Sequence, residues 1–369
     1  MKTITISVSN DLFSDQRVRK MCNSIQSLGF EITLLGRLLP SSKALSDRTY
    51  KTKRFKLPFN NGALFYASLN IRLFFYLLFN KTDVLLANDL DTLLANYLIS
   101  KIKGIPLVYD THEYFTEVPE LQGRYAKKIW EKIERKIFPK LKDVITVNQS
   151  IADIYSKKYG IHINVIKNLP NKIVSFTPFS KKELGIEHIK KYIILQGAGI
   201  NIDRGAEELI EAMIEVNKAK LLIVGSGDVI SILKNRVNNS DLKDKIVFID
   251  KQSPERLKSY TYYAELGLSL DKDSNMNYRY SLPNKIFDYI NMGVPVLVSD
   301  LVEVSKVVRE YGVGNILNTY STAEIAKQIN KMLTDNSKEN LKGNLLMASK
   351  ELNWENQEVI ISEIYSKFI

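Results

Sequence analysis

Residues 280–300 read YSLPNKIFDYINMGVPVLVSD, a polar turn that runs into an amphipathic helical pattern and then an apolar strand. A turn at the head of a helix suits an anion, because the first-turn amides are unpaired and the macrodipole is positive there. With Ser281 or Leu282 as N-cap, the amides around Asn284 and the ammonium of Lys285 would face a phosphate. Asp288, one turn further on, is placed to accept hydrogen bonds from hydroxyls, as a carboxylate does on a ribose diol. Tyr280 opens the same turn. Upstream, QGAGINIDRG (196–205) joins small residues to a cation: Gly199 lets the backbone approach a ligand, and Arg204 can fork onto phosphate. GSGD (225–228) offers Gly225 and Gly227, which read either as ligand approach or as a tight turn. Lys251 lies in FIDKQ (248–252), where backbone contacts would select a base.

The first half holds a second set. NDLFSDQR (10–17) carries Asp15 and Arg17, and YDTHEYF (109–115) carries His112 and Glu113. His112 is one of three histidines and follows an expected strand, which makes it a functional candidate against the alternative of a satisfied structural histidine. Two D-x-D patterns, Asp89/Asp91 and Asp271/Asp273, suggest a metal-bound diphosphate. They are discounted, since acids at i and i+2 are frequent by chance and Asp89-Leu-Asp91 opens a helix, where acids are favoured. No His/Cys cluster with metal spacing, no Walker lysine motif and no G-x-S-x-G occurs.

These residues need a frame that brings strand ends together. Short apolar runs at 3–9, 31–36, 83–88, 106–110 and 143–148 alternate with helical patterns, and the alternation restarts at 192–199, 220–227, 245–250, 264–270 and 294–300. Ser14 is the expected cap of a helix reaching Leu28. Continuously apolar strands between helices predict parallel sheets covered on both faces. Two such series predict an α/β chain of two doubly wound, Rossmann-like domains facing a central cleft, with ligands at the strand carboxyl ends. The expected domains are 1–170 and 171–352, broken near VIKNLPNKIVSF (165–176), with a last helix at 353–369.

The 369 residues, 45% apolar and 25% charged, suit two globular domains. A single cysteine, Cys22, excludes an intramolecular disulfide and fits a reducing compartment. The N-terminus has no h-region or cleavage site, which predicts a cytoplasmic protein. The apolar stretch 62–81 is short for a span and carries Asn70 and Arg72, so it is expected to be a core helix, with shallow membrane contact as the alternative. The net charge of +11 lies wholly in residues 1–170, which hold 26 Lys+Arg against 15 Asp+Glu. A basic half points to an anionic membrane surface, an acidic acceptor or nucleic acid. RYAKKIWEKIERKIFPKLK (124–142) concentrates it: Lys127, Lys128, Lys132 and Lys136 flank an Ile129/Ile133/Ile137 stripe that faces either the core or a membrane surface. No nucleic-acid motif accompanies the charge, so no nucleic-acid partner is expected.

At these residues the sequence resembles the retaining glycosyltransferases of family 4, which have the GT-B fold. SDQRVRKMCNSIQSLGFEITLLG and VYDTHEYFTEVPE look like that family's acceptor-domain segments. GAGINIDRGAEELIEAM, LLIVGSGD and SLPNKIFDYINMGVPVLVSDLVEV look like its donor domain, in order, and the tail with Trp354 looks like its crossing-back helix. The resemblance implies hexosyl-type transfer from a nucleotide diphosphate sugar with retention of configuration, no cofactor and no obligatory metal. Cations and helix amides would stabilise the leaving diphosphate. It implies that His112 contacts the donor sugar, with Asp15 and Glu113 beside it as catalytic candidates. The basic first half is expected to face the acceptor or membrane side, with Arg17 and the four lysines there. Where the family carries two glutamates seven apart, this chain has Tyr280 and Asp288, and Ala198 stands where the family has an arginine. Lys285 or Arg279 would supply the missing charge. The expected acceptor is lipid-linked or a saccharide, at the inner face of the membrane, in bacterial surface polysaccharide or glycolipid synthesis. Two alternatives are a nucleotide-sugar 2-epimerase of the same fold and a non-catalytic nucleotide-sugar-binding subunit.

Overall fold

The structure, a computed structural model, describes residues 1–45 and 47–369. It comprises two compact units: residues 1–168 with 275–277 and 354–369, and residues 169–274 with 278–353.

The first unit is built on β1 (Thr3–Ser7), α1 (Gln16–Ser27), β2 (Glu31–Leu38), β3 (Lys51–Lys56), α2 (Gly62–Phe79), β4 (Val84–Asn88), α3 (Leu90–Lys103), β5 (Leu107–Thr111), α4 (Tyr125–Ile137), β6 (Asp143–Thr146), α5 (Gln149–Tyr159) and β7 (Asn164–Val165). Its seven strands lie in the order β3-β2-β1-β4-β5-β6-β7, and every pairing is parallel. The order reverses between β1 and β4, with Ile4 beside both Ile32 and Val84. That reversal opens the crevice at the strand ends where doubly wound sheets bind ligands.

The second unit runs β8 (Tyr192–Gly197), α6 (Ala206–Ala212), β9 (Lys220–Gly225), α7 (Ile230–Asn238), β10 (Ile246–Ile249), α8 (Pro254–Tyr262), β11 (Leu266–Ser269), α9 (Met276–Arg279), α10 (Asn284–Asn291), β12 (Val296–Val298), α11 (Val302–Tyr311), β13 (Gly314–Ile316), α12 (Thr322–Thr334), α13 (Ser337–Asn340) and α14 (Lys342–Glu351). Residues 276 and 277 of α9 are grouped with the first unit. The six parallel strands are ordered β10-β9-β8-β11-β12-β13, so this sheet reverses between β8 and β11. One buried cluster carries Tyr192, Ile194, Tyr289 and Val296, and another carries Ile193, Leu195, Leu221 and Leu268. Alternate residues of one strand thus feed both faces, which is why these strands read as unbroken apolar runs.

The last helix, α15 (Trp354–Ser366), packs within the first unit. Trp354 donates its indole N–H to Ser24 Oγ at 2.9 Å, Glu358 accepts from the same hydroxyl at 2.7 Å, and Lys20 lies 4.6 Å from the indole centroid.

Several local expectations are corrected. Asp15, not Ser14, caps α1, accepting from Val18 N at 3.0 Å. The N-cap of α10 is Pro283, not Ser281 or Leu282, because its φ of −64° already suits a helix entry. Strands β3, β7 and β13 lie outside the expected set, and each is a sheet edge. Helix α2 is not a core helix all round: Phe65, Leu69, Leu73 and Leu77 are buried, while Leu64, Ile71, Phe75 and Phe79 are exposed. In α4 the buried line is Trp130, Glu134 and Ile137, and Ile129 is exposed. Glu134 tolerates burial because Lys158 donates at 2.8 Å and the Tyr159 hydroxyl at 2.5 Å.

Candidate functional site

In the second unit the chemistry gathers where β8 and β11 part. Arg204 lies in the loop after β8, and Asp271 follows β11 by two residues. Arg204 Nη1 donates to Asp271 Oδ1 at 3.0 Å, and Lys285 Nζ lies 3.6 Å from Asp271 Oδ2. The Arg204 guanidinium also sits 4.1 Å from the Tyr278 ring centroid. Two cations therefore share one buried carboxylate, which leaves an excess positive charge. The Arg204 Nε–H is buried and has no hydrogen-bond partner. Burial lowers the proton affinity of Lys285, partly offset by Asp271, while Arg204 presses in the same direction as burial. Burial works against the charge of Arg204 too, but Asp271 and Tyr278 together outweigh it and the net direction is upward. A diphosphate placed here would meet an unbalanced cation pair at low local dielectric, where such attraction is strongest.

Asp288 is one turn into α10 and accepts from Gln196 Nε2 at 3.3 Å. Gln196 is the penultimate residue of β8, and its Oε1 is held by the Thr261 hydroxyl at 2.6 Å. That chain fixes Asp288 over the carboxyl end of β8. Beneath it the Tyr289 hydroxyl donates toward the carbonyls of Ile194 and Leu268 and accepts from Gln196 N. Gly267 is required there: a Cβ would lie 2.3 Å from the Tyr289 ring. No side chain caps α10; Ile286 N donates to Pro283 O at 3.3 Å, and the amides of Asn284 and Lys285 are the ones placed for an outside acceptor.

The glycines divide. Gly199 faces open space on one side, with only Asn201 Nδ2 at 3.9 Å from an added Cβ. Gly225 and Gly227 are demanded by a neighbouring loop, since a Cβ would lie 1.8 Å from Gly197 O and 2.1 Å from Ile200 O. The backbone bonds Ser226 N to Gly197 O and Ile200 N to Ser226 O, both 3.0 Å, knit the two strand-end loops. Of the two readings of G-x-G, the tight turn thus has a concrete cause in the packing of the neighbouring loop. Lys251 is exposed beyond β10, and Tyr280, Ser281 and Leu282 are half-buried. Arg279 is spent on Asp273 through a bidentate pair at 2.9–3.0 Å on the surface, so Lys285 is the second cation.

In the first unit a second cluster sits at the β1/β4 reversal. Asp110 is the penultimate residue of β5 and is gripped by Arg17, Nη2 to Oδ1 at 2.8 Å and Nε to Oδ2 at 3.2 Å. Arg17 is 3% exposed and gives a further bond to Ile166 O. It is therefore an internal clamp, a correction to its expected place on the acceptor or membrane side. Asp15 likewise caps α1 and accepts from Asn10 Nδ2 at 2.7 Å.

His112 follows β5 and is wedged between carboxylates: Nδ1 lies 3.3 Å from Asp89 Oδ2, and Nε2 lies 3.5 Å from Asp110 Oδ2. Its backbone N–H donates to Asp89 Oδ1 at 2.8 Å. Burial alone would strip the imidazole of its proton. Asp89 and then Asp110 outweigh it and lift the pKa to about 9. For Asp110, burial opposes ionisation, but Arg17 and then His112 win and hold it at about 2. Asp89 pays for its position in backbone strain, at φ 56° and ψ 166°, a region almost confined to glycine. Glu113 accepts from Asn277 Nδ2 at 3.1 Å, and Asn277 Oδ1 accepts from Tyr114 N. Burial, then Asp89, raises Glu113 to about 7, and the same two causes raise Asp91 to about 7.

Tyr278, Asn277 and Asp110 were not singled out from the sequence, and Asp271 and Asp89 were discounted there as halves of D-x-D patterns. The signal was present for three of them: Asp271, Asp89 and Asp110 each stand at or just after a strand end. Of the four lysines on α4, Lys127 pairs with Glu117 at 2.8 Å, and Lys128, Lys132 and Lys136 are exposed. Among the described residues no group of three or more His, Cys, Asp or Glu is arranged to hold a metal.

Two family models match consecutive parts of the chain. The model described as Glycosyltransferase Family 4 matches residues 15–171, and the model described as Glycosyl transferases group 1 matches residues 177–344. A chitobiosyldiphosphodolichol beta-mannosyltransferase of Candida albicans is 26% identical over 212 residues, covering 52% of this chain and 46% of that protein. The chain thus spans about half the length of that curated relative. Sucrose-phosphate synthase from Thermosynechococcus elongatus superposes with a TM-score of 0.81 at 16% identity, over 100% of this chain and 99% of that one. The Anabaena protein HepE in complex with UDP-glucose gives 0.75 at 15% identity, over 100% of both chains. The two family models together span most of the sequence, and the chain belongs to the family 4 glycosyltransferases of the GT-B fold.

Proposed function

We propose that the protein transfers a sugar from a nucleotide diphosphate sugar to an acceptor with retention of configuration, without an obligatory metal. The observation that carries this reading is the cation pair held on one buried carboxylate, Arg204 and Lys285 on Asp271, at the reversal of the second sheet. In this reading the leaving diphosphate binds the unbalanced charge and the first-turn amides of α10, which is the stabilisation the transition state needs. Asp288 takes the ribose hydroxyls. Gly199, Lys251, Tyr280, Ser281, Leu282 and Asn284 line the donor side. UDP-glucose is the ligand named for the HepE structure, and UDP-hexoses are the first donors to try.

The first unit takes the acceptor. His112, charged at neutral pH, donates to the transferred sugar and does not act as a base. Glu113, lifted to about 7, is the group able to accept an acceptor proton near neutrality. The mannosyltransferase relative, by its name, acts on a diphosphodolichol-linked chitobiose, which supports a lipid-linked acceptor at a membrane face. Bacterial surface polysaccharide or glycolipid synthesis is the setting proposed.

The test is turnover with a panel of UDP-, GDP-, dTDP-, CDP- and ADP-sugars, with and without EDTA, following nucleotide release and the anomeric configuration of the product by NMR. Nucleotide release with configuration kept supports the proposal. An altered but intact sugar nucleotide would indicate epimerisation. Binding without turnover would indicate a non-catalytic subunit, and an inverted product would overturn retention.

A further inference from the structure

Helix α2 is apolar on two opposite faces, and only one is used. Phe65, Leu69, Leu73 and Leu77, four apart, are buried in the first unit. Leu64, Ile71, Phe75 and Phe79 point the other way and are 59%, 59%, 51% and 79% exposed. At 100° per residue these four fall within about 80° of arc, and they run along roughly 22 Å of helix. Phe75 and Phe79 stack at 6.4 Å between centroids. An ordinary surface helix puts polar residues here.

The surroundings state the partner's charge. Between Arg48 and Thr82 the chain carries seven Lys or Arg and no Asp or Glu. Strand β3, the exposed edge of the sheet, contributes Lys51, Lys53 and Lys56. Lys53 lies 4.7 Å from the Tyr76 ring of α2, and Arg72 of α2 lies 5.9 Å from the Phe55 ring of β3, so cations border the helix. At the other end Lys103 donates to Asn80 O at 2.8 Å. A second copy of the chain would bring these like charges face to face, which disfavours a symmetric dimer. The helix is long and apolar enough to cross a membrane, but Phe65, Leu69, Leu73 and Leu77 are packed into the first unit, which favours contact along one face over a span.

We propose that the outer face of α2, with the lysines of β3, lies on an anionic lipid bilayer and seats its apolar stripe at the headgroup boundary. This places the membrane contact on α2 and β3, not on the four lysines of α4. It deepens the reading of a lipid-linked acceptor, and it is measured without donor or acceptor, so either reading can fail alone. An apolar stripe bordered by cations is what interfacial binding to acidic lipid requires.

The experiment is flotation of the whole protein with phosphatidylcholine vesicles, with and without phosphatidylglycerol, at low and high salt. Wild type should float with the acidic vesicles only and be partly released by salt. The double variant Phe75→Ser/Phe79→Ser should lose about tenfold or more in partitioning. Lys51→Gln/Lys53→Gln/Lys56→Gln should lose roughly tenfold to a hundredfold. Lys127→Gln/Lys128→Gln/Lys132→Gln/Lys136→Gln on α4 should change it by less than about threefold. Unchanged circular dichroism and Tm confirm that these surface variants fold, and Phe79→Trp should show a blue-shifted emission on acidic vesicles. Wild type that ignores both vesicle types, loss confined to the α4 variant, or a lipid-free dimer dissolved by Phe75→Ser/Phe79→Ser would each overturn the proposal.

Discussion

Replacing Asp89 by asparagine tests the electrostatics of the first cluster with little steric disturbance. Asparagine tolerates positive φ better than most residues, and its Oδ1 can still accept the 2.8 Å bond from His112 N. What is lost is a full charge 3.3 Å from Nδ1. At an effective dielectric of about 20 such a charge is worth ~5 kcal/mol. The ring is about one-fifth exposed, so half of that, ~2.5 kcal/mol, is a fair working figure, and it moves a pKa by about 1.8. His112 should therefore titrate near 9 in the wild type and near or below 7.5 in Asp89→Asn. Proton NMR of the imidazole Cε1–H reads this directly, with His162→Gln and His188→Gln assigning the signals. Stability follows in sign. A folded pKa above the unfolded value gives stability that is complete below about 6.5 and lost as pH rises through about 9. The rise from 6.5 to about 9 corresponds to ~3.4 kcal/mol in the wild type, and Asp89→Asn should lose less than half as much. A wild-type His112 titrating near 6.5, or a variant still titrating near 9, would refute the reasoning.

Asp91 and Glu113 carry the opposite linkage: both are raised to about 7, so folding favours their protonated forms and stability falls as pH rises from about 4 through 7. Asp91→Asn/Glu113→Gln should flatten that fall, seen as urea midpoints at pH 5 and pH 8 that lie closer together than in the wild type. Asp288→Ala should weaken nucleoside and nucleoside diphosphate binding alike, because it removes a ribose contact; equal affinity for both proteins by calorimetry would remove that role. Gly227→Ala drives a Cβ to 2.1 Å from Ile200 O and should cost about 3 kcal/mol or more in chemical denaturation, with nucleotide binding lost in parallel. Glu134→Ala leaves Lys158 and two tyrosine hydroxyls without their acceptor and should cost about 2–4 kcal/mol.

The sheets were legible because their inner strands are covered on both faces. Their apolar cores VLLA, LVY and LLIVG are short and unbroken, as buried parallel strands between helices are. The three strands that could not be read are edges. β3 reads KTKRFK because one side meets water, and β7 and β13 are two and three residues long. Helix α2 misled for a related reason: apolar residues all round normally mean burial on all sides, and the sequence does not record that one face stays uncovered. At the site, Arg204, Lys285, Asp288 and His112 were found by their place after strands or at a helix head. Their partners escaped. Asp271 was discounted as half of a chance D-x-D, although it is the carboxylate both cations share. Asp89 was set aside on the same ground, yet it supplies the largest upward pull on His112. Which carboxylate meets which cation depends on strand order, and no spacing along the chain reports it. Arg17 shows the converse, since its mate Asp110 is 93 residues away.

The central claim is a nucleotide diphosphate site organised by Arg204 and Lys285. It is tested most directly by calorimetric titration of UDP, GDP, CDP, ADP and dTDP, each with its nucleoside, into wild type and Arg204→Ala with EDTA present. The account predicts that one diphosphate binds the wild type far better than the others and far better than its own nucleoside. Arg204→Ala should cut that affinity by roughly ten- to a hundredfold, as expected for a charge-assisted contact, and leave the nucleoside within about threefold. Equal losses for diphosphate and nucleoside, or no diphosphate binding to the wild type, would contradict it.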